Sequence, residues 1–416
     1  MKVVLMLCET FPPEADVGGL RGAAFCKYLP KFGWEPLIFS RNRPSGDPEN
    51  NPIMEIPGLP GKEKQITFYY GRQDEKEALL NRTFLGRLKH FFMPDYAYPS
   101  GIVEKWLKES EIHLKNVKFD CVWGTSPSLG CLTVAKHIAT AQHIPWIADF
   151  RDITEQDEFN SFRDKLFKFR MIMRRKRIIH SAAVIITVSK HHARVLKKKS
   201  KQNVQVIYNG YDPDVFSPAS GEKSQKFSII YSGKIFNKYL HDPSVFFEGI
   251  DLLLNSSSDF RNDVEILFYG SDAESVRKMV TNYKCSNLIK CSEPIPYVNM
   301  ARLLKESSVL LLLNYRGRKG VLTTKFFEYL AVKKPILCVP GDGGELDSLL
   351  NRTGSGKSCA TAEEAGSFLN KWYLEWKKNG STQIDSNDEE IRRFSRVEET
   401  GQLAALLDKV VQSISI

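Results

Sequence analysis

Short apolar runs alternate with stretches of helical spacing along most of the chain. The first run, 3–8 (VVLMLC), reads as a buried strand. Residues 20–32 then carry apolar positions at helical spacing, Gly33 ends that pattern, and 36–40 reads as a second strand. A strand, a helix and a strand in that order imply a parallel sheet with a crevice at the strands' carboxyl ends. The alternation continues with a helix over 101–115, a strand over 119–123, a helix over 128–141 and strands over 145–148, 182–188 and 204–208. Residues 217–225 are polar and contain Pro and Gly, which marks a domain boundary near them. A second series follows, with strands at 227–231, 264–269, 287–290, 309–313 and 336–339 and helices at 243–254, 275–283, 296–305 and 325–332. The tail, 389–411, has a helical pattern through Leu403, Leu406, Leu407 and Val410. The fold class is therefore α/β with two doubly wound, Rossmann-like domains.

Two segments break the pattern. Residues 41–101 are rich in Pro, Gly and charge, with a strand at 65–70 and an aromatic insertion from Phe91 to Pro99. Residues 162–179 (FRDKLFKFRMIMRRKRII) set basic side chains among Phe, Met and Ile at helical spacing, and 190–201 is a second basic run. Such segments suit an anionic membrane surface, with rings in the interface and cations at the phosphates. A solvated helix with one core face is the plainer alternative. Nucleic acid ranks lower, since no base-reading module is present.

Composition agrees with a globular protein. The chain has 416 residues, 42% hydrophobic and 26% charged, enough for about two cores, and its net charge of +10 favours an anionic partner. Eight cysteines are scattered without a CxxC pair, and Cys8, Cys121 and Cys338 lie in strand-like runs, as small core residues in a reducing compartment do. His191 and His192 have no second cluster to complete a metal site. The first apolar run is too short for a signal peptide, and no stretch approaches the ~18 apolar residues of a membrane span. A cytoplasmic chain is expected, in which the Asn-x-Ser/Thr sites at Asn81, Asn255 and Asn351 stay unused.

Candidate chemistry gathers after the strand at 309–313. A basic, Gly-containing loop leads to Thr323 and Thr324, either of which suits the N-cap of the next helix. A strand, a loop and a helix N-terminus make an anion site, and Glu328 one turn later offers a carboxylate to sugar hydroxyls. An ordinary βαβ unit with a surface Glu is the bland alternative. Gly18-Gly19, after Pro12-Pro13, permits close approach of a ligand at a helix start, though a simple turn has the same sequence. The strand at 145–148 delivers Asp149, Arg151 and Asp152 to a carboxyl end, where charge faces a crevice or forms a structural ion pair. Two tempting motifs fail. Asp212-x-Asp214 lies in a turn and linker, and Gly354 to Lys357 lacks the leading glycine and strand of a nucleotide loop.

The order of these segments is more specific than any one of them. TKFFEYLAVKKPIL at 324–337 resembles the donor-binding segment of family 4 glycosyltransferases. IPWIADFRD at 144–152 resembles the subgroup that builds bacterial surface polysaccharides, and NGYDPDVF at 209–216 resembles the crossing between the family's domains. FSR at 394–396, with Arg396, resembles the closing helix.

The resemblance implies a GT-B fold whose two domains face each other across a cleft. Its parts would be an acceptor domain over 1–212, a donor domain over 213–394 and a returning helix over 395–416. It implies transfer of a sugar, with retention, from a nucleotide-diphospho-sugar, UDP-sugar favoured, to a lipid-linked saccharide at the cytoplasmic membrane face. No cofactor or metal is implied. Glu328 would hold the ribose, Lys234 and Lys238 the diphosphate together with N–H groups near Thr323, Thr324 and Lys325, and Gly18 and Gly19 the glycine loop. Asp149, Arg151 and Asp152 would lie near the acceptor, and the aromatic insertion would face it. Many members carry a second Glu eight positions before the first; here that position is Gly320. Two other readings stay open: a nucleotide-sugar epimerase of the same fold, and a non-catalytic scaffold.

Overall fold

A computed structural model describes residues 1–12, 17–42, 59, 64–69, 102–126, 129–156, 161–218, 225–235, 240–270 and 273–413. Lys238, Pro13 and the aromatic insertion from Phe91 to Pro99 lie outside the described residues. The chain divides into two compact units, one of residues 1–208 with 396–416 and one of 209–395.

The first unit is built on a seven-stranded sheet: β1 (Lys2–Cys8), β2 (Trp34–Asn42), β3 (Gln65–Tyr69), β4 (Cys121–Thr125), β5 (Trp146–Phe150), β6 (Val184–Thr187) and β7 (Asn203–Val206). Its order is β3-β2-β1-β4-β5-β6-β7, with every pair parallel. The order reverses between β1 and β4, so the crevice of this unit opens at their carboxyl ends. One face of the sheet packs on helices Ile102–Leu114 and Leu129–Ala141 through Trp106, Leu132 and Ile138. The other packs on helix Leu20–Tyr28 and on the C-terminal helix Arg396–Gln412, whose Leu403, Leu407 and Val410 meet Val4, Met6 and Trp123. Asp408 fastens that last helix to the sheet by accepting from Lys2 Nζ at 2.7 Å and Trp34 Nε1 at 3.2 Å.

The second unit has a six-stranded sheet: β8 (Phe227–Ser232), β9 (Val264–Tyr269), β10 (Ile289–Ser292), β11 (Val309–Leu313), β12 (Ile336–Val339) and β13 (Gly356–Ser358). The order is β10-β9-β8-β11-β12-β13, again all parallel, and it reverses between β8 and β11. Phe227, Phe260, Tyr373 and Trp376 form an aromatic cluster under its outer helices. Tyr211 belongs to this unit because its N–H donates to Phe394 O at 3.0 Å.

All eight cysteines are free, and seven are buried. Burial raises the thiol pKa of Cys8, Cys121 and Cys338, so these groups stay neutral, as small core residues do. Among the described residues no helix is long and apolar enough to cross a membrane.

Helix Phe162–Ile179 is locked to the first unit by one carboxylate. Glu155 accepts from both Arg175 Nη atoms, at 2.7 and 2.6 Å, and from Lys199 Nζ at 3.1 Å. Burial pushes the Glu155 pKa up, but the two cations outweigh it and hold the group at about 2, against an ordinary 4.5. A depressed carboxylate stabilises the fold above its unfolded pKa, and that contribution is lost as pH falls from 4.5 toward 2. Glu155→Gln should therefore cost about 3 kcal/mol at neutral pH and flatten the fall in stability across that acid window, as urea unfolding at a series of pH values would show.

Candidate functional site

In the first unit the crevice end is organised by Arg21. It is one of two basic residues in helix Leu20–Tyr28 and is only 2% exposed. Its guanidinium donates to both oxygens of Asp149, at 2.8 and 3.2 Å, and to the carbonyls of Tyr208 and Ile207 at 2.6 and 3.0 Å. Asp149 is wholly buried, and its Oδ2 also accepts from Thr125 Oγ1 at 3.1 Å. Asp149 thus forms the structural ion pair that its sequence position allowed, and it holds other groups in place instead of facing outward. Arg151 donates to the carbonyls of Ser126 and Gly18, which ties the glycine loop to the end of β5. Asp152 is exposed and accepts from Gln156 at 2.9 Å. Of the three charged residues at the carboxyl end of β5, then, Arg151 and Asp152 keep surface at the crevice end. Gly18 and Gly19 lie in a short turn before the helix, and Gly19 is its N-cap.

Sequence reasoning passed over Arg21, although an arginine just after Gly-Gly in an otherwise apolar helix start was visible. Its partner lies 128 positions away, which no local pattern reveals.

In the second unit two helix N-termini follow neighbouring strands and are treated in opposite ways. The one at Glu345–Thr353, after β12, is closed by its own loop. Asp342 accepts from the N–H groups of Gly344, Leu346 and Asp347, and Asp347 accepts from those of Asp342 and Gly343. The one at Thr324–Val332, after β11, has Thr323 as its N-cap in extended conformation, yet the hydroxyl makes no capping bond. That differs from the capping hydroxyl expected at Thr323 or Thr324. An uncapped first turn leaves its positive dipole end for something else.

That turn carries a cation of its own. Lys325 Nζ donates to Tyr231 Oη at 3.3 Å and sits 4.8 Å from the ring centroid. Burial lowers its pKa, so a negative charge beside it would be favoured. Lys234 is exposed two residues past the end of β8. Gly233 has φ of +133°, and a Cβ there would collide with Lys325 Nζ. Glycine is thus required where the lysine crosses the strand end. One turn into the helix Glu328 is 6% exposed, and its Oε1 accepts from Tyr297 Oη at 2.8 Å. Tyr329 Oη bonds Ser232 N and Oγ at 3.1 and 3.2 Å and so fixes the helix to β8.

His241 was not anticipated. It is buried, 4.4 Å from the Tyr315 ring, and burial with nearby Lys325 and Arg318 lowers its pKa to about 4. Beside it Arg316 bonds Leu240 O at 3.0 Å and Asp242 at 3.1 Å, which anchors the loop between β11 and the helix. In that loop Gly320 has φ of +73°, a left-handed conformation in which a glutamate would be strained.

Residues 23–215 match the model of Glycosyltransferase Family 4. Those residues make up a family 4 glycosyltransferase domain. Solved glycosyltransferases share its fold. Anabaena Alr3699/HepE, in complex with UDP and glucose, is 12% identical with a TM-score of 0.65, over 98% of this chain and 100% of that one. Sucrose-phosphate synthase from Thermosynechococcus elongatus is 14% identical with a TM-score of 0.63, over 99% and 100%. A glycosyltransferase from Rickettsia africae is 14% identical with a TM-score of 0.62, over 99% and 98%. No curated protein matches the sequence. The two parallel sheets and these likenesses give the chain a GT-B fold.

Two substitutions test the geometry of these sites. Arg21→Ala leaves Asp149 buried without its counter-charge and should cost about 3–5 kcal/mol in urea unfolding. Gly233→Ala should cost about 1–3 kcal/mol through backbone strain and the clash with Lys325. Adding Lys325→Ala should recover part of that loss; a purely additive double variant would show that the two residues do not meet.

Proposed function

We propose that this enzyme transfers a sugar, with retention of configuration, from a UDP-sugar to a lipid-linked saccharide in surface polysaccharide synthesis. The observation that carries the donor half is the uncapped turn at Thr323-Thr324, with Lys325 and Glu328 on the same helix. A diphosphate there would take the free N–H groups and the dipole, and would add to the negative charge that Glu328 already sets near half-buried Lys325. Lys234 would add a mobile cation on the far side, with Lys238 as the second candidate. Stabilising the leaving UDP by fixed donors and cations needs no metal. Glu328 would accept from the ribose hydroxyls, its carboxylate aimed by Tyr297. UDP is favoured as the nucleotide because the Anabaena relative holds UDP and glucose in the same fold.

The acceptor half rests on the first unit. Arg151 and Asp152, at the end of β5, would face the acceptor saccharide beside Gly18 and Gly19. Asp149 would act as a positioning residue through Arg21. The basic segments 162–179 and 190–201 favour reaction at an anionic membrane surface, on the inner face of the plasma membrane.

Thermal shift against UDP-, GDP- and other nucleotide-sugars, with chelator present, tests the donor site. A ligand at 100 times its Kd should add about 2.7 kcal/mol of stability. UDP-sugars should give this shift and Glu328→Ala should weaken it roughly tenfold in affinity. A shift confined to another nucleotide class, or an unchanged affinity in the variant, refutes the assignment.

A further inference from the structure

Helix Phe162–Ile179 has two unlike faces. Arg174, Arg175, Ile178 and Ile179 are buried against the first unit. On the other face Phe162 is 84% exposed, Leu166 48%, Phe169 61% and Met173 38%. Their spacing of four, three and four residues draws a single stripe along the helix. Phe167, 55% exposed, lies to one side. Eleven large apolar residues are exposed among the described residues, and five of them fall in the twelve positions 162–173. Isolated exposed apolar side chains need no explanation, but a contiguous row does.

The borders of the stripe are basic. At about 100° per residue, Lys165 and Lys176 project along one edge and Arg170 and Arg177 along the other. Lys165, Lys176 and Arg177 are exposed. The second basic run differs. Lys199 is bonded to Glu155, and no residue of 190–201 is among the exposed large apolar side chains.

We propose that this stripe is a membrane-inserting face. The helix lies along an anionic bilayer, with Phe162, Leu166, Phe169 and Met173 in the acyl boundary and the bordering cations at lipid phosphates. Charge selects this occupant. A second copy of the same face would set like-charged borders against each other, whereas anionic headgroups complement both edges. The topology gives the contact a use. The helix connects the carboxyl end of β5 to the amino end of β6, so its exposed first turns stand on the side where Arg151 and Asp152 lie. A lipid-linked acceptor would then reach that end from the bilayer plane. The proposal deepens the membrane part of the proposed function and does not depend on the donor site.

Co-sedimentation of the full chain with vesicles tests it, using phosphatidylglycerol–phosphatidylcholine and pure phosphatidylcholine. The chain should bind the anionic vesicles, lose binding in high salt and ignore the neutral ones. Phe162→Ser/Phe169→Ser and Lys165→Glu/Lys176→Glu/Arg177→Glu should each weaken binding by roughly tenfold or more. Both variants change exposed residues only, and both should keep the wild-type thermal shift with UDP. Loss of vesicle binding alone therefore separates this surface from the donor site. The idea falls if wild-type chain ignores anionic vesicles, or if either variant binds as well. It falls equally if the stripe proves to join two copies, seen as a concentration-dependent dimer that the apolar variant abolishes.

Discussion

Every strand pairing in both sheets is parallel, and that constraint governs the rest. A parallel strand must be followed by a crossover that returns to the opposite end, so each helix starts where a strand's carboxyl end stops. Unsatisfied N–H groups and positive dipole ends therefore collect on one side of each sheet. The chain answers this helix by helix. Asp342 and Asp347 close the turn after β12, and Ser189 caps helix Lys190–Lys197 by accepting from His192 N at 3.1 Å. The turn after β11 is left without such a carboxylate or hydroxyl, and lysine is brought to it instead. The contrast between neighbouring turns on one scaffold supports the proposed anion site more sharply than any single residue does.

The same pressure explains Arg21. Carbonyls at the end of β7 and a carboxylate at the end of β5 need donors, and a single guanidinium supplies four bonds at one point. A buried ion pair gains little over well-packed apolar residues, so its value lies in position more than in stability. It fixes the ends of β5 and β7 against the first helix, while Arg151 reaches back to Gly18.

Much of the fold was legible because buried parallel strands are nearly continuous apolar runs. Val309–Leu313 and Ile336–Val339 were read residue for residue, and so was the helix Phe162–Ile179. Misreadings came where local geometry interrupts a periodic pattern. The first helix stops at Tyr28 because Pro30 turns the chain into a 3-10 segment, and the tail is two helices, Asp388–Arg392 and Arg396–Gln412, where one was expected. The site was legible only as positions. Lys325, Glu328 and Thr323 fall on one helix start, but sequence cannot say whether a threonine hydroxyl bonds its own helix. Nor can it tell a carboxylate that faces a crevice from one consumed by a distant arginine, as at Asp149. His241 carried no signal because its neighbours Tyr315, Arg318 and Lys325 are remote in sequence.

Net charge illustrates the same limit. The basic stretch 162–179 looks uniformly available in sequence, yet folding sorts its cations into two populations. Arg174 and Arg175 turn inward, and Glu155 consumes Arg175 together with Lys199 from the second basic run. Lys165, Lys176 and Arg177 stay outside, beside the apolar stripe. The number of basic residues in 162–179 therefore overstates what a partner can feel. What a bilayer would feel is the smaller outward set, and its worth comes from geometry: cations within a few ångströms of apolar side chains act on headgroups and acyl chains at once, where scattered charge would be screened within about 8–10 Å.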